Sequence, residues 1–306
     1  MAQRKDLPVA DSCVVSIILP TLNRAKLLPR SIQSVLDQTF TDFELIIVDD
    51  GSTDQTAQVV ESFGDPRLKY IKHDEPRGAA AARNTGCGQA GGEYLAFQDS
   101  DDRWFGSKLA AQLRSIETAS AGVEVCVCSL QQHIDDKILE VVHPAGERTG
   151  EEVIKQLADG TSYGTVALLI KRKMFESIGG FDERLPRRQD YDLCLKLAEH
   201  GSFVFQPDIL VETFRYADSI SVDPFKFLEA TEMIFAKYSH IFGRYKKGYS
   251  LQLYRAGKYM LRAGYNKPAL SLLMTALRAN PLNWRAYILL AGLITRVIPL
   301  VKKRNS

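Results

Sequence analysis

Residues 94–104 read YLAFQDSDDRW, an apolar run that delivers Asp99, Asp101 and Asp102 within four positions. Carboxylates this close repel one another unless a cation or hydrogen-bond donors compensate. With no Cys or His beside them, their oxygens suit a hard divalent ion, Mg2+ or Mn2+, which keeps coordination positions for phosphate oxygens. A metal-bound nucleotide diphosphate is the natural cargo of such a site. A second acidic pair, Asp49 and Asp50, follows FELIIV and precedes Gly51. Taken alone, DGSTD also suits an ordinary turn or helix cap. Arg83 stands in RGAAAARNTG among small residues that let a ligand or a backbone approach; its guanidinium could pair with a diphosphate or with a surface carboxylate. Asp190 and Asp192 open QDYDLCLKLAEHG, in which Leu193 with Leu197 and Cys194 with Ala198 form an i, i+4 face and Gly201 supplies a stop. At the start of that helix the two acids serve as capping groups, or one of them is a general base.

The elements that must carry these residues alternate. VVSIIL, FELIIVDD, LKYIKH and EYLAFQ read as strands, and AKLLPRSIQSVLDQ, TDQTAQVVESF and GAAAARNTGCGQA as helices. Repeating units of this length predict an α/β fold with a parallel central sheet flanked by helices. Ligands of open parallel sheets bind beyond the carboxyl ends of the strands, where both acidic clusters fall, so the two could share one site. Further on, SKLAAQLRSIETA, EEVIKQLAD and the stretches around MFES and DYDLCLKLA read as helices, VEVCVCSL, VALLI and FVFQPDILVETF as strands, and residues 135–150 as a polar stretch. From about residue 218 onward the pattern is helical. This gives an N-terminal tail over 1–13, a domain over 14–217 and a C-terminal helical region over 218–306.

Several chemistries are disfavoured. With 45% hydrophobic and 25% charged residues and a net charge of +2, the overall balance points away from nucleic acid. Five scattered cysteines do not resemble a secreted disulfide framework, and Cys126 and Cys128, two apart on a strand, read as buried packing. The five histidines form no zinc-spaced pair. GCGQAG at 86–91 fits G-x-G-x-x-G, but it follows a helix and leads into a strand, the reverse of a dinucleotide site, and reads as a helix C-cap and turn. The polar start has no signal-peptide core, so a cytoplasmic location is expected. The apolar stretch Ala286 to Leu300 is shorter than the roughly 20 residues that span a bilayer and contains Arg296 and Pro299. It reads as a packed terminal helix or as a basic amphipathic segment lying on the inner face of a membrane.

Taken together, VSIILPTLNRAKLLPRSIQSVLDQTFTDFELIIVDDGSTDQT, RGAAAARNTG, YLAFQDSDD, GGFDERL and QDYDLCLKLA resemble the family 2 glycosyltransferases with the GT-A fold, over approximately residues 14–215. The resemblance implies an inverting, metal-dependent transfer of a sugar from a nucleotide-diphospho-sugar, UDP-sugars being most frequent, to an acceptor hydroxyl in polysaccharide, lipid-linked or cell-surface glycan synthesis. By the same resemblance Asp50 would hold the nucleobase, Pro20, Thr21 and Asn23 would line the nucleotide site, and Arg83 would lie near the base or diphosphate. Asp99 and Asp101 match the D-x-D element, with Asp101 the principal ligand of Mn2+ or Mg2+ and Asp99 shared between the cation and the sugar-diphosphate. Asp190 matches the catalytic base, beside Gln189 where many relatives carry Glu. Asp102 then reads as a turn or helix-start residue, and Trp104 as a wall of the site or the packing behind it.

Processive members of the family carry Q-x-x-R-W and membrane spans. Here Arg103 and Trp104 occur with Ser100 in place of the glutamine, so addition of one or a few sugars is expected. A sugar-phosphate nucleotidyltransferase is the alternative enzyme, but LPTLNRAKL lacks the glycines of its phosphate loop. A non-catalytic GT-A-like binding module is the other alternative, against which Asp99, Asp101 and Asp190 all speak.

Overall fold

The computed structural model describes residues 13–134, 137–214 and 223–293. In chain order the elements are β1 (Val15–Thr21), α1 (Leu28–Leu36), β2 (Phe43–Asp49), α2 (Thr56–Glu61), β3 (Leu68–Lys72), α3 (Ala79–Gly88), β4 (Tyr94–Phe97), β5 (Arg103–Trp104), α4 (Lys108–Glu117), β6 (Val123–Ile134), β7 (Lys137–Val141), β8 (Gly146–Arg148), α5 (Gly150–Ala158), a 3-10 turn (Thr165–Ala167), β9 (Leu168–Lys171), α6 (Arg172–Ser177), α7 (Gln189–His200), β10 (Ser202–Phe214), α8 (Pro224–Lys237), α9 (Ser239–Arg244), α10 (Lys246–Arg262) and α11 (Asn266–Ala279). A final helical stretch runs over 284–293. The chain divides into two compact units. The first comprises 1–149, 163–183 and 200–216, and the second 150–162, 184–199 and 217–306.

The first unit is built on a sheet of order β3-β2-β1-β4-β9-β6-β10-β5, with β7 on β6 and β8 on β10. The β-branched and aliphatic runs explain the centre: every residue of β1, β2 and β4 is buried, as expected for parallel strands covered on both faces. The expected parallel character holds through β3-β2-β1-β4 and again for β6 with β10. Antiparallel pairings enter at β9, which lies between β4 and β6, and at β5, β7 and β8. The sheet is therefore mixed, and the polar stretch at 135–150 contributes β7 and β8 instead of being only loop. Because β9 runs against both β4 and β6, those two point the same way. The carboxyl ends of β1, β2, β4, β6 and β10 thus share one edge.

Pro20 is tolerated inside central β1 for a reason visible in the alternation of hydrogen bonds. The Thr21 carbonyl accepts from Asp50 N on the β2 side and the Ile18 carbonyl from Gln98 N on the β4 side. Pro20 faces the β4 side two residues past the last β1–β4 pair, Ile18 with Phe97, where its missing N–H removes no ladder bond. Cys126 and Cys128 are free and buried, as packing residues should be.

The second unit is helical. Its α10 and α11 pack closely: Gly257 leaves room for Leu273, whose Cγ would lie 3.0 Å from an added Cβ. No helix among the described residues is long and apolar enough to cross a membrane.

Candidate functional site

At the carboxyl edge of the first unit the chain makes three consecutive fixings. Asp50 is buried, and its Oδ1 faces His73 Nδ1 at 2.8 Å and accepts from Arg77 N at 2.8 Å, while Oδ2 accepts from Gly78 N at 2.7 Å. His73 Nε2 lies 3.0 Å from Thr85 Oγ1. A carboxylate offers about four acceptor positions, so three are spent on holding the 73–78 loop to the end of β2. Gly78, at φ 95°, is the N-cap of α3, a left-handed conformation that glycine adopts without a Cβ penalty.

Next to it, Asn23, at φ 52°, donates its N–H to Ser52 Oγ at 2.8 Å and accepts from Thr53 N at 2.9 Å through Oδ1. It is exposed, and it stitches the loop after β1 to the DGST turn. Thr21 is buried and its Oγ1 has no hydrogen-bond partner among the described residues. Buried hydroxyls are normally satisfied, so this oxygen is an open polar contact at the end of β1.

The acid turn is held by its backbone. The Asp101 carbonyl accepts from Arg30 Nη2, the Asp99 carbonyl from Ser31 Oγ at 2.8 Å, and the Asp102 carbonyl from Gln98 Nε2 at 3.0 Å. Two side chains of α1 therefore position the turn. The carboxylates meet different partners. Asp99 Oδ1 accepts from Arg83 Nη2 at 2.6 Å, an ion pair in which Arg83 is 10% and Asp99 33% exposed. The Arg83 guanidinium also lies 5.6 Å from the Phe181 ring. The sequence left Arg83 open between a diphosphate and a surface carboxylate; the chain's own partner is Asp99, and the pair is largely sealed. Asp102 is buried and accepts from Phe214 N at 3.1 Å, in keeping with a turn residue. Burial first, then repulsion from Asp99, holds the Asp101 carboxyl above its ordinary range. Burial and both neighbours push Asp102 further up. Trp104 is packing: it is 2% exposed and pairs with Val211 of β10.

GGFDE gains a physical role. Gly179 and Gly180 both have positive φ, 74° and 64°, and turn Phe181 against Phe97 and Phe175 at 5.3 and 5.6 Å between centroids. Asn84 clamps it, accepting from Phe181 N and donating to the Phe181 carbonyl, both at 3.0 Å.

A cluster that sequence reasoning missed lies at the ends of β6 and β10. The Phe214 ring is sandwiched between Arg30, 3.9 Å away, and His133, stacked at 4.5 Å. Buried Glu212 accepts from Gln131 Nε2 at 2.6 Å, lies 3.3 Å from His133 Nε2 and pairs with Arg103 at 3.2 Å. Only the alternation in QQHI and VETF, which puts Gln131 with His133 and Glu212 with Phe214 on one face each, hinted at it.

Asp190 and Asp192 belong to the second unit, in the first turn of α7. Asp190 Oδ1 accepts from Tyr191 N at 2.8 Å. Asp192 is fully buried and accepts from Lys237 Nζ at 2.6 Å and Tyr238 OH at 3.0 Å, with Lys196 3.6 Å away. Of the two acids, Asp192 is thus the structural one. Just ahead, Arg188 takes φ 61°, uncommon for a bulky residue. Its guanidinium donates to Thr231 Oγ1 at 3.0 Å and Gln252 Oε1 at 3.2 Å and stacks 4.3 Å from Tyr191.

Residues 16–176 match the family described as Glycosyl transferase family 2. The chain belongs to that family. Among curated relatives, the Escherichia coli UDP-Glc:alpha-D-GlcNAc-diphosphoundecaprenol beta-1,3-glucosyltransferase WfgD is 44% identical over 103 residues, 34% of this chain and 41% of that protein. The matched stretch spans only 36%, 41% and 64% of the length of three such relatives. The fold is that of solved GT-A glycosyltransferases. Staphylococcus aureus TarS 1-349 in complex with UDP-GlcNAc superposes with a TM-score of 0.69 at 21% identity, covering 87% of this chain and 81% of that TarS fragment. The mannosyltransferase PcManGT from Pyrobaculum calidifontis, in complex with GDP-Man and Mn2+, gives 0.62 at 20% identity, covering 94% and 81%.

Proposed function

We propose that this family 2 glycosyltransferase is inverting and metal-dependent, and moves a sugar from a UDP-sugar to an acceptor hydroxyl of a polysaccharide, lipid-linked or cell-surface glycan. The observation that carries the reading is the pair Arg83–Asp99 beside the acid turn, with the backbone of Asp99 and Asp101 fixed by α1. Such fixing supplies the preorganised charge that transfer from a diphosphate needs. UDP is supported by the UDP-GlcNAc bound to TarS and the UDP-Glc in the name of WfgD, a lipid-linked acceptor by the name of WfgD, and a divalent cation by the Mn2+ of PcManGT.

The donor set fits a hard cation. Asp101 and Asp99 offer carboxylate oxygens, the donor type of Mn2+ or Mg2+; because no three His, Cys, Asp or Glu among the described residues are grouped to hold an ion by themselves, phosphate oxygens would have to complete the shell. Asp101 would be the principal ligand and Asp99, through the oxygen not given to Arg83, the second. When bound, the cation offsets the charge that builds on the leaving diphosphate. Arg83 binds that diphosphate, Pro20, Thr21 and Asn23 line the nucleotide, and Asp50 holds the base through its remaining acceptor position and the loop it fixes. Asp190 takes the proton of the acceptor hydroxyl as that oxygen attacks the anomeric carbon from the face opposite the diphosphate, so configuration inverts without a covalent intermediate. General-base assistance of this kind is worth about 10² to 10⁴ in rate.

Residues 14–217 form the transferase part in this reading and 218–306 an extension that brings the chain to a membrane surface. α5 and α7 pack in the second compact unit, so the division is one of role along the chain and not of packing. The test separates binding from transfer. Asp101→Ala should abolish Mn2+-dependent UDP binding in calorimetry, whereas Asp190→Asn should keep UDP affinity and lose transfer by about 10² to 10⁴. Unchanged Mn2+-dependent affinity in the first variant, or full transfer in the second, refutes the corresponding role.

A further inference from the structure

The balance of +2 hides a sharp division of charge. Residues 233–306 contain fourteen Lys and Arg and no Asp or Glu, which leaves 25 basic residues against all 37 acidic ones in residues 1–232. Asymmetry of this size marks a basic surface for an anionic partner. Among the described cations Lys237 and Arg244 are taken up by Asp192 and Glu151, but Lys246, Lys247, Arg262, Lys267, Arg278 and Arg285 are exposed.

The same end exposes an apolar face. In the helical stretch 284–293, Ala286, Leu290 and Leu293 recur at i, i+4 and i+7 and are buried. Asn283, just ahead, donates to Ser250 Oγ of α10 at 2.9 Å and pins the stretch to the unit. On the opposite face Trp284, Tyr287 and Ile288 are 64%, 52% and 60% exposed, and Leu282 before them is 86% exposed. Arg285, 5.5 Å from the Trp284 ring, carries the sole charge between 284 and 293. A helix that is apolar on both faces is ordinarily covered on both, so among the described residues the outward face lacks its covering layer.

We infer that an anionic lipid bilayer covers this face, with Leu282, Trp284, Tyr287 and Ile288 entering the headgroup boundary, Arg285 beside Trp284 meeting lipid phosphates, and the other exposed lysines and arginines of this basic end adding to the attraction. Trp and Tyr, apolar rings with a polar edge, suit that boundary. Basic residues near it are each drawn to an anionic leaflet. A second copy docked through the same face would bring like charge against like, and nucleic acid would satisfy the cations but not the Leu, Trp and Ile side chains. The inference deepens the membrane contact of the proposed function without depending on sugar transfer.

The experiment is co-sedimentation of the full chain with phosphatidylcholine vesicles, with and without phosphatidylglycerol. Binding to the anionic vesicles should fall about ten-fold or more on pure phosphatidylcholine, at high salt, and in Trp284→Ser/Ile288→Ser. Trp284 emission should shift to the blue on binding, Trp104 being buried already. Because both substituted side chains are exposed, an unchanged circular dichroism spectrum and UDP affinity should accompany the loss. Equal binding by the double variant, equal binding to neutral and anionic vesicles, or a vesicle-independent dimer that the double variant dissolves would each overturn the assignment. Loss of UDP binding with vesicle binding intact would strike the donor reading and leave this one standing.

Discussion

The Arg83–Asp99 pair is the place to perturb the proposed donor site. Its N–O distance is 2.6 Å, Arg83 is 10% and Asp99 33% exposed, and Arg83 Nε has no partner among the described residues. Exposed ion pairs are worth at most about 1 kcal/mol, whereas breaking a buried one costs about 3–5 kcal/mol. With the arginine nearly sealed and the aspartate a third open to water, solvent screening places the expected coupling between these limits, at about 2 kcal/mol. A double-mutant cycle of Arg83→Met, Asp99→Asn and their combination, followed by urea unfolding, measures it. The single variants should be unequal. Asp99→Asn strands a buried guanidinium, while Arg83→Met leaves a carboxylate that water can reach, so the first should cost more. In calorimetry Arg83→Met should weaken UDP binding by about ten- to a hundred-fold, the worth of one hydrogen bond to a charged group. A coupling below about 0.5 kcal/mol, the usual error of additivity, or an unaltered UDP affinity would refute the reasoning.

Two further predictions concern buried charge. Lys108 is fully buried, donates to Gln112 Oε1 at 2.6 Å and sits 3.9 Å from the Trp104 ring; burial lowers its amine from 10.5 to about 8. The unfolded chain therefore binds more protons between those values, and stability should rise with pH from about 8 to 10.5, by up to about 3 kcal/mol. Lys108→Met should flatten that rise in pH-resolved unfolding; an equally steep curve in the variant assigns the titration elsewhere. Asp192→Asn, which takes a buried carboxylate charge from Lys237, itself 32% exposed, and from Tyr238, should cost about 2 kcal/mol while leaving UDP affinity intact. An unchanged urea midpoint would show that the network stabilises nothing.

How far the sequence could be read follows from how local each determinant is. The strands β1, β2 and β4 and the acids at their ends are contiguous runs, so type and spacing sufficed to find them. Arg83 was legible as a residue, but its partner was not, since only folding brings α3 against the turn after β4. The Glu212–His133–Phe214 cluster was illegible for the same reason: strands β6 and β10 carry its members some 79 residues apart. β7 was hidden because four of its five residues are exposed, and apolar alternation fades when neither face is covered. Asp190 and Asp192 look alike on a helical wheel, and only packing against Tyr238 and Lys237 sets them apart. The basic end was legible only as a basic amphipathic segment near the terminus; its full extent from residue 233 was hidden because a whole-chain charge averages it against the acids ahead of it.

The bond from Phe214 N to Asp102 Oδ1 spans 112 residues, and it bears on how the protein is made. A growing chain has β1 to β4 and the three acids in hand long before β10 exists. At about 5–20 residues per second, the strand that closes the acid turn emerges roughly 6 to 20 seconds later. Until then the clustered carboxylates lack one of their fixed donors, and the Arg30 stack lacks its ring. The acid turn is thus finished late in synthesis, by a contact of high sequence separation whose closure entropy is met only when most of the sheet has formed.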